Sequence, residues 1–249
     1  FEWSNSIKGN IMKIFIPSYK RAGKVKTNET IGGGILAIHE FEAEDYKKKE
    51  GGELFILPDK LRGNIAKVRN YILENADDDE TVMMDDDISE IGFHENMKQI
   101  PMMPKKIIQF LQSGYQMAKD LKVSLWGVNL QSDPKFYREY SPFSLLSPIL
   151  GTFSCHYKPK QRYDENLFLN EDYDFFLKTI NEYRKTLRFN KYYYIADHLG
   201  KQGGCGAYRL KDFEIQQAEK MIKRWGSKVF KFDITKSTNG KLYIPIRGI

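Results

Sequence analysis

Apolar residues fall in short runs separated by helical stripes. Met12, Ile14, Phe15 and Ile16 lie in a run from Asn10 to Pro17 that reads as a buried strand stopped by proline, and Ser18 to Gly23 follows as a polar, basic loop. Leu54 to Leu57 is a second run, ended by Pro58, and Ile65, Val68 and Ile72 then repeat at helical spacing between Arg62 and Asn75. Thr81 to Met84 is the next predicted strand. Pro104 to Leu121 places Ile108, Leu111, Tyr115 and Ala118 on one helical face, with proline near its start, and Val123 to Val128 returns to strand. This alternation predicts an α/β fold, a mostly parallel sheet with helices on both faces.

From Gln131 to Tyr157 the pattern weakens into aromatic and proline-rich sequence around Pro134, Pro142 and Pro148. Helical spacing resumes over Phe175 to Arg184 and over Asp212 to Trp225, where Ile215, Ala218, Ile222 and Trp225 share a face; these elements are expected to cover or extend the sheet. Neither a long linker nor an internal repeat marks a boundary, so residues 1–249 are expected to form a single domain.

Composition narrows the class. With 41% hydrophobic and 29% charged residues the chain reads as an ordinary globular protein, and no stretch approaches the ~20 apolar residues of a membrane helix. The first residues, Phe1-Glu2-Trp3-Ser4, do not read as a secretion signal, so a cytoplasmic location is expected. Cys155 and Cys205 form no CxxC pair, which argues against a disulfide framework and a thiolate zinc site. The net charge of +6 is modest but unevenly spread. Acidic residues crowd Asp77 to Asp87, whereas Lys158, Lys160, Arg162, Arg184, Lys185, Arg188 and Lys191 make the second half basic, with Tyr157, Tyr163, Tyr183, Phe189 and Tyr192 to Tyr194 between them. Such a surface suits phosphates and stacked bases; a plain solvated lysine-rich face is the other reading.

The most informative residues are Asp85-Asp86-Asp87, where a predicted buried strand stops. Hard cations such as Mg²⁺ or Mn²⁺ bind through one or two carboxylates plus substrate phosphate oxygens, and ligands of open α/β sheets lie beyond the carboxyl ends of strands. Alternation predicts that Asp85 and Asp87 approach a metal while Asp86 turns toward the nucleoside or a neighbouring backbone; a solvated acidic turn is the competing reading. Pro17-Ser18-Tyr19-Lys20-Arg21 offers N–H groups, a ring and cations to a nucleotide, and Arg62, Lys67 and Arg69 are expected on one helix at the same sheet edge. In Phe168 to Asp174, Asp172, with Glu171 as the nearest substitute, is a candidate general base at a helix start, where plain capping competes. His198 lies beside the glycine-rich segment Gly200 to Gly206 and is either a metal ligand or structural; His39, His94 and His156 have no comparable surroundings.

The order of these pieces resembles the GT-A glycosyltransferases over residues 11–206. Ile14 to Arg21 looks like their first strand and nucleotide loop, Gly63 through Arg69-Asn70 like their Gly/Ala-Arg-Asn helix, and Met84 to Asp87 like their DxD motif. Asn170-Glu171-Asp172 resembles the acidic motif that supplies the base in inverting members, and His198 falls where many members have a C-terminal metal-binding histidine. The Ile-Pro-Ser opening, the triple Asp and the Gly-Gly-Cys-Gly segment look most like the TET-associated glycosyltransferases, some of them phage enzymes that decorate hydroxymethylated pyrimidines in DNA.

The resemblance implies a Rossmann-like GT-A sheet with a nucleotide-sugar half, about residues 11–130, and an elaborated acceptor-binding half, about 131–249. It implies a nucleoside diphosphate sugar donor, a UDP-sugar foremost, held by Pro17, Ser18, Tyr19, Arg21, Arg62, Lys67, Arg69 and Asp86. A divalent metal, Mn²⁺ or Mg²⁺, would sit on Asp85, Asp87 and His198, and Asp172 or Glu171 would act as base. The acceptor implied is the hydroxymethyl group of 5-hydroxymethylcytosine in DNA, flipped from the duplex and gripped by Lys158, Lys160, Arg162, Arg184 and Arg188. A protein, polysaccharide or lipid acceptor on the same fold, a nucleotidyl transfer reaction, and a non-catalytic nucleic-acid-binding module are the alternatives.

Overall fold

The computed structural model describes residues 12–76, 79–197, 211–232 and 241–242. Among the described residues, ten strands form one mixed sheet. Its parallel part is β1 (Lys13–Pro17), β2 (Ile35–His39), β3 (Glu53–Leu57) and β4 (Glu80–Met84), in the order β3-β2-β1-β4. The sheet continues through β9 (Phe153–Tyr157), β7 (Leu125–Asn129), β10 (Leu187–Ala196), β5 (Ile88–Glu95) and β6 (Lys98–Pro101), while β8 (Phe143–Ser144) adds to the start of β10. Because β9 runs antiparallel to both β4 and β7, and β7 is parallel to β10, strands β1, β4, β7 and β10 all end at one edge. That shared end is the carboxyl edge; β9 begins there and finishes at the opposite, amino edge.

The central strands β1, β4 and β7 are buried on both sides, so alternate residues feed two cores. Ile14, Ile16, Leu36, Ile38, Val82 and Met84 meet α1 (Lys26–Ile31), α2 (Ala43–Lys49) and α4 (Pro104–Asp120) through Ile31, Tyr46, Ile107, Leu111 and Tyr115. On the other face Phe15, Ala37 and Met83 pack on Val68 and Ile72 of α3 (Ile65–Asn75). Leu125 and Ile149 join Phe175, Phe176 and Ile180 of α5 (Glu171–Tyr183) and Ala218 and Met221 of α6 (Lys211–Trp225). The helices expected from residue spacing therefore exist. Strand β2, an apolar run from Ile35 to Ile38, the β5–β6 hairpin, and β9, whose Ser154 and His156 are polar yet buried, add to the strands expected from the sequence. No helix among the described residues is long and apolar enough to cross a membrane.

Candidate active site

The loop after β1 leaves the sheet one residue late, since the Ser18 N–H still donates to the Ala37 carbonyl at 3.1 Å. Lys20 then adopts a left-handed φ of 58°, which turns the chain so that its own N–H reaches Glu42 Oε1 at 2.7 Å and the Arg21 N–H reaches Tyr46 Oη at 3.0 Å. Ser18 Oγ donates to Asp86 Oδ2 and pairs with the Tyr46 hydroxyl at 2.8 Å, and Arg21 donates to Asp86 Oδ1. Burial pushes the Asp86 carboxyl up, and Arg21 and Ser18 oppose that rise. So Asp86 does turn away from its neighbours, but toward these two side chains. Ser18 and Arg21, expected to meet a nucleotide, have polar groups engaged in holding Asp86, with Arg21 also 3.7 Å from Asp87.

The backbone of the triplet is held separately. Thr27, fully buried in α1, donates through Oγ1 to the Asp85 carbonyl at 2.5 Å and accepts from the Ile88 N–H at 2.9 Å. Asp197, just past β10, donates its N–H to the Asp87 carbonyl at 2.8 Å and pairs with Lys26 at 2.5 Å. Thr27 carries no sequence signal, because a lone threonine in a polar stretch has no periodicity to mark it. His198 lies outside the described residues.

Helix α3 starts later than its spacing predicts. Asn64 is the N-cap, its side chain accepting from the Lys67 N–H at 3.2 Å, so Arg62 sits in the turn ahead of the helix, its guanidinium 4.8 Å from the Phe41 ring centre. Tyr19 meets His39 at 5.6 Å and Phe41 at 6.2 Å, making an aromatic group beyond the ends of β1 and β2. Lys67 and Arg69 are two residues apart, about 200° around a helix, and so cannot share one ligand. It is Arg69 that faces the triplet.

The segment from Lys158 to Asn170 climbs back along α3 from the amino edge to the carboxyl edge. Asn70 acts as a backbone surrogate, accepting from Tyr163 N–H at 2.8 Å and donating to Tyr163 carbonyl at 3.0 Å, and Asn64 donates to Glu165 carbonyl at 2.7 Å. Asn170 then turns with a left-handed φ of 66° and α5 begins, delivering Glu171 and Asp172 beside the triplet. Asn170, not Asp172, occupies the cap position.

Arg69, only 4% exposed, spans the gap: Nη1 donates to Glu171 Oε1 at 2.6 Å and Nη2 to Asp85 Oδ1 at 3.2 Å, with the guanidinium 5.6 Å from the Tyr163 ring centre. Arg69, expected to contact phosphate, has both terminal nitrogens engaged by carboxylates. Burial, and then the adjacent Asp172 charge, push the Glu171 carboxyl up despite Arg69. Asp172 is less buried and accepts the Gly151 N–H at 3.1 Å through Oδ2 and its neighbour's N–H at 2.8 Å through Oδ1. A Cβ at Gly151 would overlap the Arg69 guanidinium, which would have to shift. Tyr194 completes the group: its hydroxyl bonds Thr152, and burial, then the nearby Asp85, Asp172 and Asp87, keep the phenol protonated. Gly151 did not stand out in the sequence, and Tyr194 stood there only among the aromatic residues between the cations; the direction of β9 and β10 is what places both here.

The basic residues expected to grip DNA lie elsewhere. Lys158 follows the last residue of β9 and pairs with Asp79, ahead of β4, at 2.9 Å; Lys160 is exposed two residues on; Arg162 pairs with Glu74, near the end of α3, at 3.2 Å. Arg184 ends α5, and Arg188 is the second residue of β10, its Nε donating to Asn190 at 2.9 Å. Lys158, Lys160, Arg162 and Arg184 sit toward the amino edge, because β9 is antiparallel and α5 carries the chain away from the triplet, whereas Arg188 pairs in register with Gly127, level with Ser154 and Met83 in the middle of the sheet. No group of three or more His, Cys, Asp or Glu side chains forms a ready metal cage among the described residues.

The model of the TET-Associated Glycosyltransferase family matches residues 12–205. No curated protein matches the sequence. Among solved structures, glucosyl-3-phosphoglycerate synthase from Mycobacterium tuberculosis with Mn²⁺, UDP-glucose and glycerol 3-phosphate is 11% identical with a TM-score of 0.52, covering 94% of this chain and 87% of that one. The same enzyme with Mg²⁺ and UDP is 10% identical with a TM-score of 0.52, covering 89% and 83%. At this identity the likeness speaks to the fold alone.

Proposed function

The chain belongs to the TET-associated glycosyltransferase family, and from that premise we propose that it moves a sugar from a nucleoside diphosphate sugar, a UDP-sugar foremost, to the hydroxymethyl group of a modified pyrimidine such as 5-hydroxymethylcytosine in DNA. The observation that carries the reading is the approach of Asp172 to the Asp triplet, joined by Arg69 on one side and by Gly151 and Thr152 on the other. A carboxylate on the acceptor side of a diphosphate site is what proton removal from an attacking hydroxyl requires. Asp172 is favoured over Glu171, whose carboxyl is buried against Arg69.

Asp85 and Asp87, with His198, are the residues that would hold a divalent metal. The donor set fits a hard cation: two carboxylates and no closed cage among the described residues leave room for diphosphate oxygens. When bound, such an ion would neutralise charge on the departing diphosphate. The enzyme from Mycobacterium tuberculosis binds UDP with Mn²⁺ or Mg²⁺, which supports both components. The rings of Tyr19, His39 and Phe41, with Arg62, suit a nucleobase, and Pro17 and Ser18 bring the loop to it.

The DNA acceptor rests on the family alone, since four of the five expected cations are at the other edge and Arg188 lies in the middle of the sheet. That placement favours, as second reading, a protein or polysaccharide acceptor on the same donor site. The deciding experiment incubates the protein with a panel of nucleotide sugars and DNA containing hydroxymethylcytosine or cytosine, with Mn²⁺ or EDTA, then digests and weighs the nucleosides. Added hexose or pentose mass on hydroxymethylcytosine alone supports the proposal; donor hydrolysis without any DNA product moves the acceptor to the second reading.

A further inference from the structure

We propose that Arg69 is a positioning residue that sets the separation of the donor-side Asp85 from the acceptor-side Asp172, and that Gly151 keeps the space its guanidinium needs. The inference rests on the glycosyltransferase reading above and assigns it a device. The hydrogen bonds close into a ring. Asp85 accepts from Arg69 Nη2, Arg69 Nη1 donates to Glu171, and Glu171 is joined by its peptide bond to Asp172. Asp172 then accepts from the Gly151 N–H, Gly151 is joined to Thr152, and the Thr152 carbonyl accepts from the Asp85 N–H at 3.0 Å. Each link in a closed ring is braced by the rest, so the two reacting sides keep one spacing.

Only arginine serves this role. Its planar fork presents two donors at a fixed separation, whereas a lysine ammonium is a single point that would satisfy one carboxylate and release the other. Tyr163 under the guanidinium keeps it from swinging out, and Asn70, the next residue, fastens Tyr163 itself through both backbone groups. The pair Arg69-Asn70 therefore acts as one brace, with arginine holding carboxylates and asparagine holding the strap that carries them. Gly151 is part of the same ring twice, as a hydrogen-bond donor to Asp172 and as empty space beside Arg69.

The test compares wild type with Arg69→Lys, Gly151→Ala and the double variant. Readouts are UDP binding with Mn²⁺ by calorimetry, thermal stability, and kcat and KM for hydrolysis of nucleotide sugars from the panel. The expected result is a fall in kcat of about 100-fold in each single variant, the order expected when a reacting group is misplaced by about 1 Å. UDP affinity should stay within about threefold, and the double variant should be no slower than the worse single one, since both open the same ring. Wild-type kcat in both single variants, or a parallel loss of UDP binding, stability and turnover, overturns the inference while leaving the donor reading intact. A wild-type protein that neither binds UDP with Mn²⁺ nor turns over any donor overturns that reading and this inference with it.

Discussion

The two edges of the sheet carry charge in opposite ways. At the carboxyl edge the carboxylates of Asp85, Asp86, Asp87, Glu171 and Asp172 face the guanidiniums of Arg21 and Arg69, and Asp86, Arg69 and Glu171 are buried. At the amino edge Lys158 and Arg162 meet Asp79 and Glu74 in exposed pairs. Exposed pairs of that sort are worth about 0–1 kcal/mol each and mainly keep a protein soluble. Buried charge is different, because desolvation is expensive unless every group is matched, and an excess of carboxylates is an arrangement that a bound cation relieves. The chemistry should therefore reside at the edge where charge is dense and unbalanced, and the richer run of cations should matter little.

The largest expected effect tests the dense edge directly. Asp87→Ala should lower sugar transfer by several kcal/mol of transition-state stabilisation, because diphosphate charge would lose its ionic partner. Turnover measured against Mn²⁺ concentration checks this, and full activity of the variant in EDTA would sink it. Next comes Asp172→Asn, which keeps the shape and removes the charge; transfer should drop about 10²–10⁴-fold with UDP affinity unchanged. If affinity fell in step with turnover, Asp172 would be a binding or folding element.

A smaller effect lies between the edges. His156, in β9, is fully buried, its Nε2 near Ser154 at 3.2 Å and the Tyr163 hydroxyl at 3.4 Å. Burial first, then Arg69 and Arg162, lower its pKa to about 3. The folded protein thus keeps the ring neutral while the unfolded chain protonates it near 6.5, so the unfolded state binds more protons below that pH. Stability due to this group is complete above about pH 6.5 and is lost as pH falls toward 3, by at most about 1.4 kcal/mol per pH unit. Denaturant titrations from pH 7 to 4 should show a shallower decline for His156→Gln than for wild type; parallel curves would mean that the ring is protonated in the fold.

Much of the carboxyl edge was legible in the sequence, because its residues are adjacent to strong periodic signals. The Asp triplet ends an apolar run, and Glu171-Asp172 precedes a striped helix, so strand and helix fixed their places. What could not be read was partnership. Arg69 looks like a phosphate ligand until α3 and the returning segment bring two carboxylates to it, and Arg21 looks the same until Asp86 turns toward it. Strand direction was the other hidden quantity. Lys158 to Arg162 follow β9, and an unpatterned strand such as Phe153–Tyr157, polar on one buried side, gives no sign that it runs antiparallel. Reading the cations as part of the site depended on a direction that composition cannot supply.

The smallest effect tests the separation of the two edges. Reversing two charges together, Lys158→Glu with Arg162→Glu, replaces two exposed pairs by like-charge neighbours of Asp79 and Glu74. Each site should cost no more than about 1 kcal/mol in denaturant titrations, because solvent screens both. Transfer to whichever acceptor the panel identifies should be unchanged, since neither residue lies at the edge that carries Asp85 to Asp87. Affinity for DNA, followed against salt, should keep its slope. If these cations did neutralise phosphates, the reversal would weaken binding and flatten the log-log salt dependence by about 1.8, roughly 0.9 for each phosphate no longer neutralised. That flattening would show a duplex reaching round to the amino edge, and the division of labour between the two edges would have to be given up.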